Sequence, residues 1–152
     1  MRTVQTPLDQ HFAQIMDAAE QLLRAAMVPG GTLQDVTDVV RGDRANVGQL
    51  RPPLLWLMEG VDQIEPSGGS GNYHNLEVVV AALIADNDPE AGRKAAANLA
   101  ARAYGVMLKD RSWSGTLHQA IPRRFEPAQR MDGAKNTFWA AAIFSAQVRR
   151  LD

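Results

Sequence analysis

Cysteine is absent from the chain, which removes disulfides, thiolate nucleophiles and cysteine-ligated zinc together. A reducing compartment is compatible with that usage. Long apolar runs are missing too: the longest, VVVAALIA at 78–85, falls far short of the roughly 20 residues that a membrane-spanning helix needs. The opening MRTVQTPLDQHFAQ lacks the apolar stretch and small-residue cleavage site of a secretory signal. Neither sign of charge dominates, and a net charge of -1 with a pI near 6.3 gives no global field to hold nucleic acid or an anionic membrane. A soluble, intracellular chain with no membrane partner is the expectation.

Phosphate-binding signatures are equally scarce. No Gly-Lys pair occurs, so no Walker cradle can form, because its lysine and the following helix N-terminus must meet the phosphates together. Gly69 and Gly71 have the first spacing of a dinucleotide fingerprint, but His74 stands at the third position and a strand pattern follows. Gly68 to Asn72 begins a nucleophile elbow and ends it with Asn. His11, His74 and His118 are the only histidines, and none has a second histidine at ligand spacing. No catalytic, cofactor or metal site is expected, and the chain is not read as an enzyme.

What is present suits one domain over 1–152. With 152 residues, 45% hydrophobic, the chain can bury a single sizeable core. Leu8, Phe12, Ile15, Met16, Ala19, Leu22, Leu23 and Ala26 recur at helical spacing, and Pro29, Gly30 and Gly31 stop that helix. The stretch 32–53 permits a short helical or irregular piece. PPLLWLMEGVDQIE predicts a strand from about Leu54. YHNLEVVVAALIAD is β-branched and apolar on both faces from Val78 on, the look of an interior strand covered on both sides.

Beyond it the period changes. Asp88 is suited to cap a helix with Pro89 at its first position, and Ala96, Leu99, Ala100, Ala103, Val106 and Met107 form one stripe. Small side chains there allow the helix to lie close on a sheet. GTLHQAIPRRFEPAQ at 115–129 predicts a strand interrupted at Pro122. At 136–152, Phe138, Ala140, Ala142, Phe144, Ala146 and Val148 alternate strictly. An Ala-rich run is also a fair helix, but this alternation and the preceding MDGAKN turn favour a strand. The predicted class is α+β, a four-stranded, mostly antiparallel sheet packed by an N-terminal and a central helix, in the order α-β-β-α-β-β.

The stretch between the first two strands is then a hairpin connection of about eight to ten residues, longer than usual. The segment 60–75 is expected to be exposed, with Gly68, Gly69, Ser70, Gly71, Asn72 and Tyr73 free to touch another subunit. A plain surface loop would have the same composition. Trp56 lies in an apolar strand and is expected in the core, whereas Trp113, in DRSWSGT, has polar neighbours and is the candidate exposed anchor. Arg123 and Arg124 form a basic pair near a strand end, suited to subunit or partner contact.

This layout, with PPLLWLMEGVD, HNLEVVVAALIADNDPEAGRKAAANLAARAYGVM, TLHQAIPRRFEPA and the closing FWAAAIFSAQVRR, resembles the tail terminator proteins of long-tailed bacteriophages and related gene transfer agents over roughly 8–151. The resemblance implies a virion subunit, assembled in the host cytoplasm, that forms a homohexameric ring on the head-proximal end of the tail tube. Such a ring stops tube growth and gives the neck or stopper protein its docking surface, while genome DNA passes the lumen without sequence-specific binding. In these terms the 60–75 segment resembles a hairpin tip reaching a neighbour. Another head-tail connector component, or a small monomeric enzyme or ligand-binding domain, are the alternatives.

Overall fold

The computed structural model describes residues 5–42, 51–133 and 136–152. Its elements are α1 (Leu8–Ala25), β1 (Asp38–Arg41), β2 (Leu54–Pro66), β3 (Asn72–Ala85), α2 (Pro89–Lys109), β4 (Gln119–Arg130) and β5 (Thr137–Arg150). The expected helix–hairpin–helix–hairpin order is there, with one strand added. Instead of four strands, a five-stranded mixed sheet runs β1-β2-β3-β5-β4. β1 pairs parallel with β2 over Leu54 to Leu57, and the other pairs are antiparallel. Four residues are too few to display a period, so β1 was hidden in the segment expected to be irregular. Residues 43–50 of that segment, and Ala134 and Lys135 of the expected 131–136 turn, lie outside the described residues.

Local chemistry explains the two helices. Asp88 accepts a hydrogen bond from the Glu90 N–H at 3.1 Å, and Pro89 occupies the first helical position. α1 has no side-chain cap, and its amphipathic stripe holds it: Ile15, Met16, Ala19 and Leu23 are buried. Both helices pack on one face of the sheet. Ile15, Leu23, Ala96, Leu99, Ala100, Ala103 and Met107 share one core with Leu55, Leu57, Val78, Val80, Ala82, Ala140, Ala142 and Phe144. Ala96, Ala100 and Ala103 bring α2 down onto a floor that is itself alanine-rich, as the small residues suggested.

β3 lies between β2 and β5, so it is interior in the sheet, yet only its even-numbered face meets helices. Its odd-numbered face, with Val79, Ala81 and Leu83, belongs to a second cluster containing Leu54, Trp56, Met58, Ala141 and Trp139, and no helical residue. From Val78 on the strand is interior and largely covered on both sides, as expected: Val80 and Ala82 lie in the core under the helices, and Ala81 and Leu83 are buried with Trp56 and Trp139 of the neighbouring strands.

Pro122 sits on β4 at the edge of the sheet, beside register shifts between Pro122 and Arg124 and between Glu126 and Gln129. A proline is tolerated there because an edge strand can lose a donor or bulge. The hairpin between β2 and β3 also differs from expectation. The strands stay paired from Asp62↔Leu76 out to Pro66↔Asn72, so most of 60–75 is ladder and only the turn 67–71 is loop.

Candidate assembly surface

The helix-free face of the sheet divides into two ends. At one, Trp56, Met58, Ala81, Leu83, Met131 and Trp139 line a shallow apolar hollow. Trp56 is half-buried there, with its indole N–H donated to the Gly42 carbonyl. At the other, Gln63, Asn75, Glu77, Arg123, Arg124 and Ser145 line a cleft together with Val61, Ile143 and Phe144. Alternation along β5 makes the division: Trp139, Ala141 and Ile143 point to the bare face first, then Ser145, Gln147 and Arg149.

Within the polar end, a chain of side-chain amides crosses the sheet. Gln119 Nε2 donates to Gln147 Oε1 at 3.1 Å, Gln147 Nε2 donates to Asn75 Oδ1 at 3.1 Å, and Asn75 Nδ2 donates to the Gln63 backbone carbonyl at 3.2 Å. These four residues are directly opposite one another in the register. Sequence reading missed this row; the available signal was the polar tail of the β5 alternation, Ser145, Gln147 and Arg149.

The basic pair lies on exposed β4. Arg123 donates to the Ser145 hydroxyl at 2.8 Å. Arg124 is held between Glu126 at 3.1 Å and Glu77 at 3.2 Å, and its hydrogen bond to Glu126 raises its pKa further above the ordinary value, with Glu77 adding to the effect. Both guanidinium groups are thus oriented by neighbours and still face solvent.

The turn residues Gly68, Gly69 and Ser70 are exposed. Gly68, Gly69 and Gly71 have φ of 73°, 92° and 120°, in the left-handed region that glycine occupies without a Cβ penalty. Arg149 fastens the turn, donating to Ser67 Oγ at 3.2 Å and to the Ser70 carbonyl at 3.3 Å. Asn72 donates to the Asp152 backbone carbonyl, and Tyr73 lies 6.0 Å from the His118 ring. Asn72 and Tyr73 are half-buried, so the exposed tip is shorter than the sequence suggested.

Trp113 is not an exposed anchor. It is fully buried, donates its indole N–H to the Met107 carbonyl at 3.0 Å, and meets Phe144 edge-on at 6.0 Å. The polar neighbours that made it look exposed form the turn around it. The Asp110 carboxylate accepts from the Ser112 hydroxyl at 2.6 Å and from the Ser112 and Ser114 N–H groups at 3.0 and 2.7 Å. These bonds, the Ser112 hydroxyl foremost, hold the Asp110 carboxyl below its usual pKa.

Two histidines are integrated into the fold. His74 Nδ1 lies 2.7 Å from Asp62 and Nε2 lies 3.3 Å from Asp152. Both ring nitrogens of His74 thus face carboxylates. His11 Nδ1 accepts from Arg150 at 2.8 Å while Nε2 lies 3.2 Å from the Thr116 carbonyl. Among the described residues no group of three or more His, Asp or Glu is placed to hold a metal ion, and no helix is long and apolar enough to cross a membrane.

No protein-family model and no curated protein matches the chain. Among solved structures, a chain of "Virion of native gene transfer agent (GTA) particle" aligns over 89% of this chain and 94% of its own, at 15% identity and a TM-score of 0.47. A likeness at that distance carries no functional argument.

Proposed function

We propose that the chain is a structural virion protein that caps the head-proximal end of a phage-type tail tube as a homohexameric ring. In this reading it ends tube polymerisation and presents a docking surface to the neck or stopper protein. The observation that carries it is a sheet left incomplete in two ways: helices cover one face only, and both lateral edges lack a partner strand over much of their length among the described residues. An open edge presents unpaired N–H and C=O groups that a strand of another chain can complete. The layout resemblance to tail terminators supplies the kind of chain.

No chemical step is required of such a subunit. A growing tube end exposes a template, and a ring that binds it while presenting a different far face halts addition. The near-neutral net charge of -1 suits a channel through which DNA slides, since a strongly basic lumen would retain it. The exposed turn at Gly68 to Ser70, with Gly71, Asn72 and Tyr73 beneath it, and the pair Arg123 and Arg124 are its proposed partner contacts.

The test is addition of the purified chain to polymerising tail-tube protein from the particle that encodes it. Tubes of restricted length with a six-fold density at one end are expected. Unchanged elongation with no bound density would overturn the reading.

A further inference from the structure

We infer that copies of this chain join edge to edge, the outer edge of β2 around Gly60–Gln63 pairing antiparallel with the outer edge of β4 around Gln119–Pro122 of the next copy. This deepens the ring reading and rests on it, naming the strands through which the ring would close.

The two edges are complementary in charge. β2 carries Glu59, Asp62 and Glu65 and no basic residue, whereas β4 carries Arg123, Arg124 and Arg130 against Glu126 alone. Two β2 edges would repel each other, and so would two β4 edges, so the pairing is of unlike edges. Both also expose apolar side chains that a neighbouring copy would cover: Val61 at 68% and Ile64 at 59% on β2, and Phe125 at 47% on β4. β1 occupies the β2 edge only over Leu54 to Leu57, leaving Met58 to Pro66 without a neighbouring strand on that side among the described residues. Neither strand carries lysine, and the guards that do occur, the β2 register shift between Glu59 and Asp62 and Pro122 on β4, lie at the end of the junction away from Gln63 and Gln119.

Strand direction and place in the register also match. β2 and β5 run one way and β3 and β4 the other. Copies related by rotation about an axis along the strands keep those directions, so β4 of one copy meets β2 of the next antiparallel. Gln63, Asn75, Gln147 and Gln119 occupy one row of the register, so Gln63 and Gln119 hold corresponding places on the two edges. A head-to-tail contact closes into a ring where its rotation per copy divides the circle, and gives an open filament where it does not. The amide row ends at Gln119 on one edge and at the Gln63 backbone carbonyl on the other, and Gln119 Oε1 and the Gln63 side chain, which have no hydrogen bond among the described residues, would meet across the junction.

Because the chain lacks cysteine, a pair of introduced thiols gives an unambiguous readout. The variant carrying both Gln63→Cys and Gln119→Cys, oxidised in the presence of tube ends, is expected to give a ladder of covalent multimers on non-reducing gels. Each single variant alone should stay monomeric, and an equal mixture of the two single variants should stop at dimers. A disulfide dimer from either single variant alone would show like edges meeting and overturn the inference. Six-fold rings without a ladder would overturn it too while leaving the ring function standing; neither ring nor ladder would remove both. As an independent check, Glu59→Arg should weaken assembly at least about tenfold, and adding Arg123→Glu should restore most of it. A double variant that assembles no better than Glu59→Arg alone would count against the pairing.

Discussion

The imidazole of His74 is held 2.7 Å from the Asp62 carboxylate across the β2–β3 ladder, with only 2% of its surface exposed. Its other nitrogen faces Asp152 at 3.3 Å, so one side chain joins the hairpin to the C-terminal residue. Removing it leaves the Asp62 carboxylate without its partner in a mostly enclosed site, where one Asp62 oxygen already has no hydrogen bond among the described residues. His74→Ala is therefore expected to cost about 2 kcal/mol, read by urea unfolding. Asp152→Ala, whose carboxylate is partly exposed, should cost under about 0.5 kcal/mol. Equal losses would show that the C-terminal contact, not the β2–β3 junction, is what His74 serves.

Trp113 fills the space between α2 and β5, and its indole satisfies the Met107 carbonyl close to the end of α2. Trp113→Ala is expected to lose about 3–5 kcal/mol. Trp113→Phe keeps much of the volume and gives up the hydrogen bond, at about 1–2 kcal/mol. Thermal unfolding of both variants separates packing from the hydrogen bond, and a negligible effect of Trp113→Ala would contradict its burial.

The same residue shows where sequence reading stopped. Trp113 stands among Asp110, Arg111, Ser112, Ser114 and Gly115, and polarity in a linear window reads as exposure. What reverses it is backbone conformation: Trp113 and Ser114 take φ of 43° and 58°, turning the indole inward while the serines hydrogen-bond Asp110. Such left-handed positions have no signal in non-glycine residues. By contrast, β5 was legible because Phe138 to Val148 alternate without interruption, and α2 because Asp88 and Pro89 announce its start. β3 was legible as an interior strand covered on both sides, but what covers each side was not. Ala81 and Leu83 are as apolar as Val80 and Ala82, since the strand's bare face is covered by Trp56 and Trp139 on neighbouring strands, and composition cannot tell an indole cover from a helix. The amide row of Gln119, Gln147, Asn75 and Gln63 exists only through register, which pairs residues far apart in the chain.

Gly92, buried in the first turns of α2, lies directly against the Phe138 ring, and a Cβ there would collide with the ring atoms. In an exposed helix Gly→Ala stabilises by about 1 kcal/mol. Here the sign should reverse, because Phe138 is fully buried and cannot retreat without displacing the core. Gly92→Ala is expected to destabilise by about 1–3 kcal/mol, and the double variant Gly92→Ala with Phe138→Leu should recover part of that loss. A Gly92→Ala protein as stable as the parent would show that α2 does not sit this close to β5.

Arg102 ties the segment before β1 to α2 with a two-pronged contact. Its Nη1 and Nη2 donate to the two Asp35 oxygens at 2.7 and 3.0 Å, and Nη1 also donates to the Thr32 carbonyl at 2.9 Å. The Arg102 hydrogen bond holds the Asp35 carboxyl below its usual pKa, and the same bond raises that of Arg102. A depressed carboxylate pKa contributes stability that is complete above the unfolded value near about 3.9 and is lost as pH falls through the lower, folded value. Asp35 is half exposed, so solvent screens the pair and its worth is about 1 kcal/mol or less. Asp35→Asn should therefore lower the unfolding free energy modestly at pH 7, and the gap to the parent should close below about pH 3.9 as the parent's carboxyl takes up its proton. A gap that persists unchanged in acid would place the loss in the altered geometry of the amide, and Arg102 would then hold the segment through Thr32 alone.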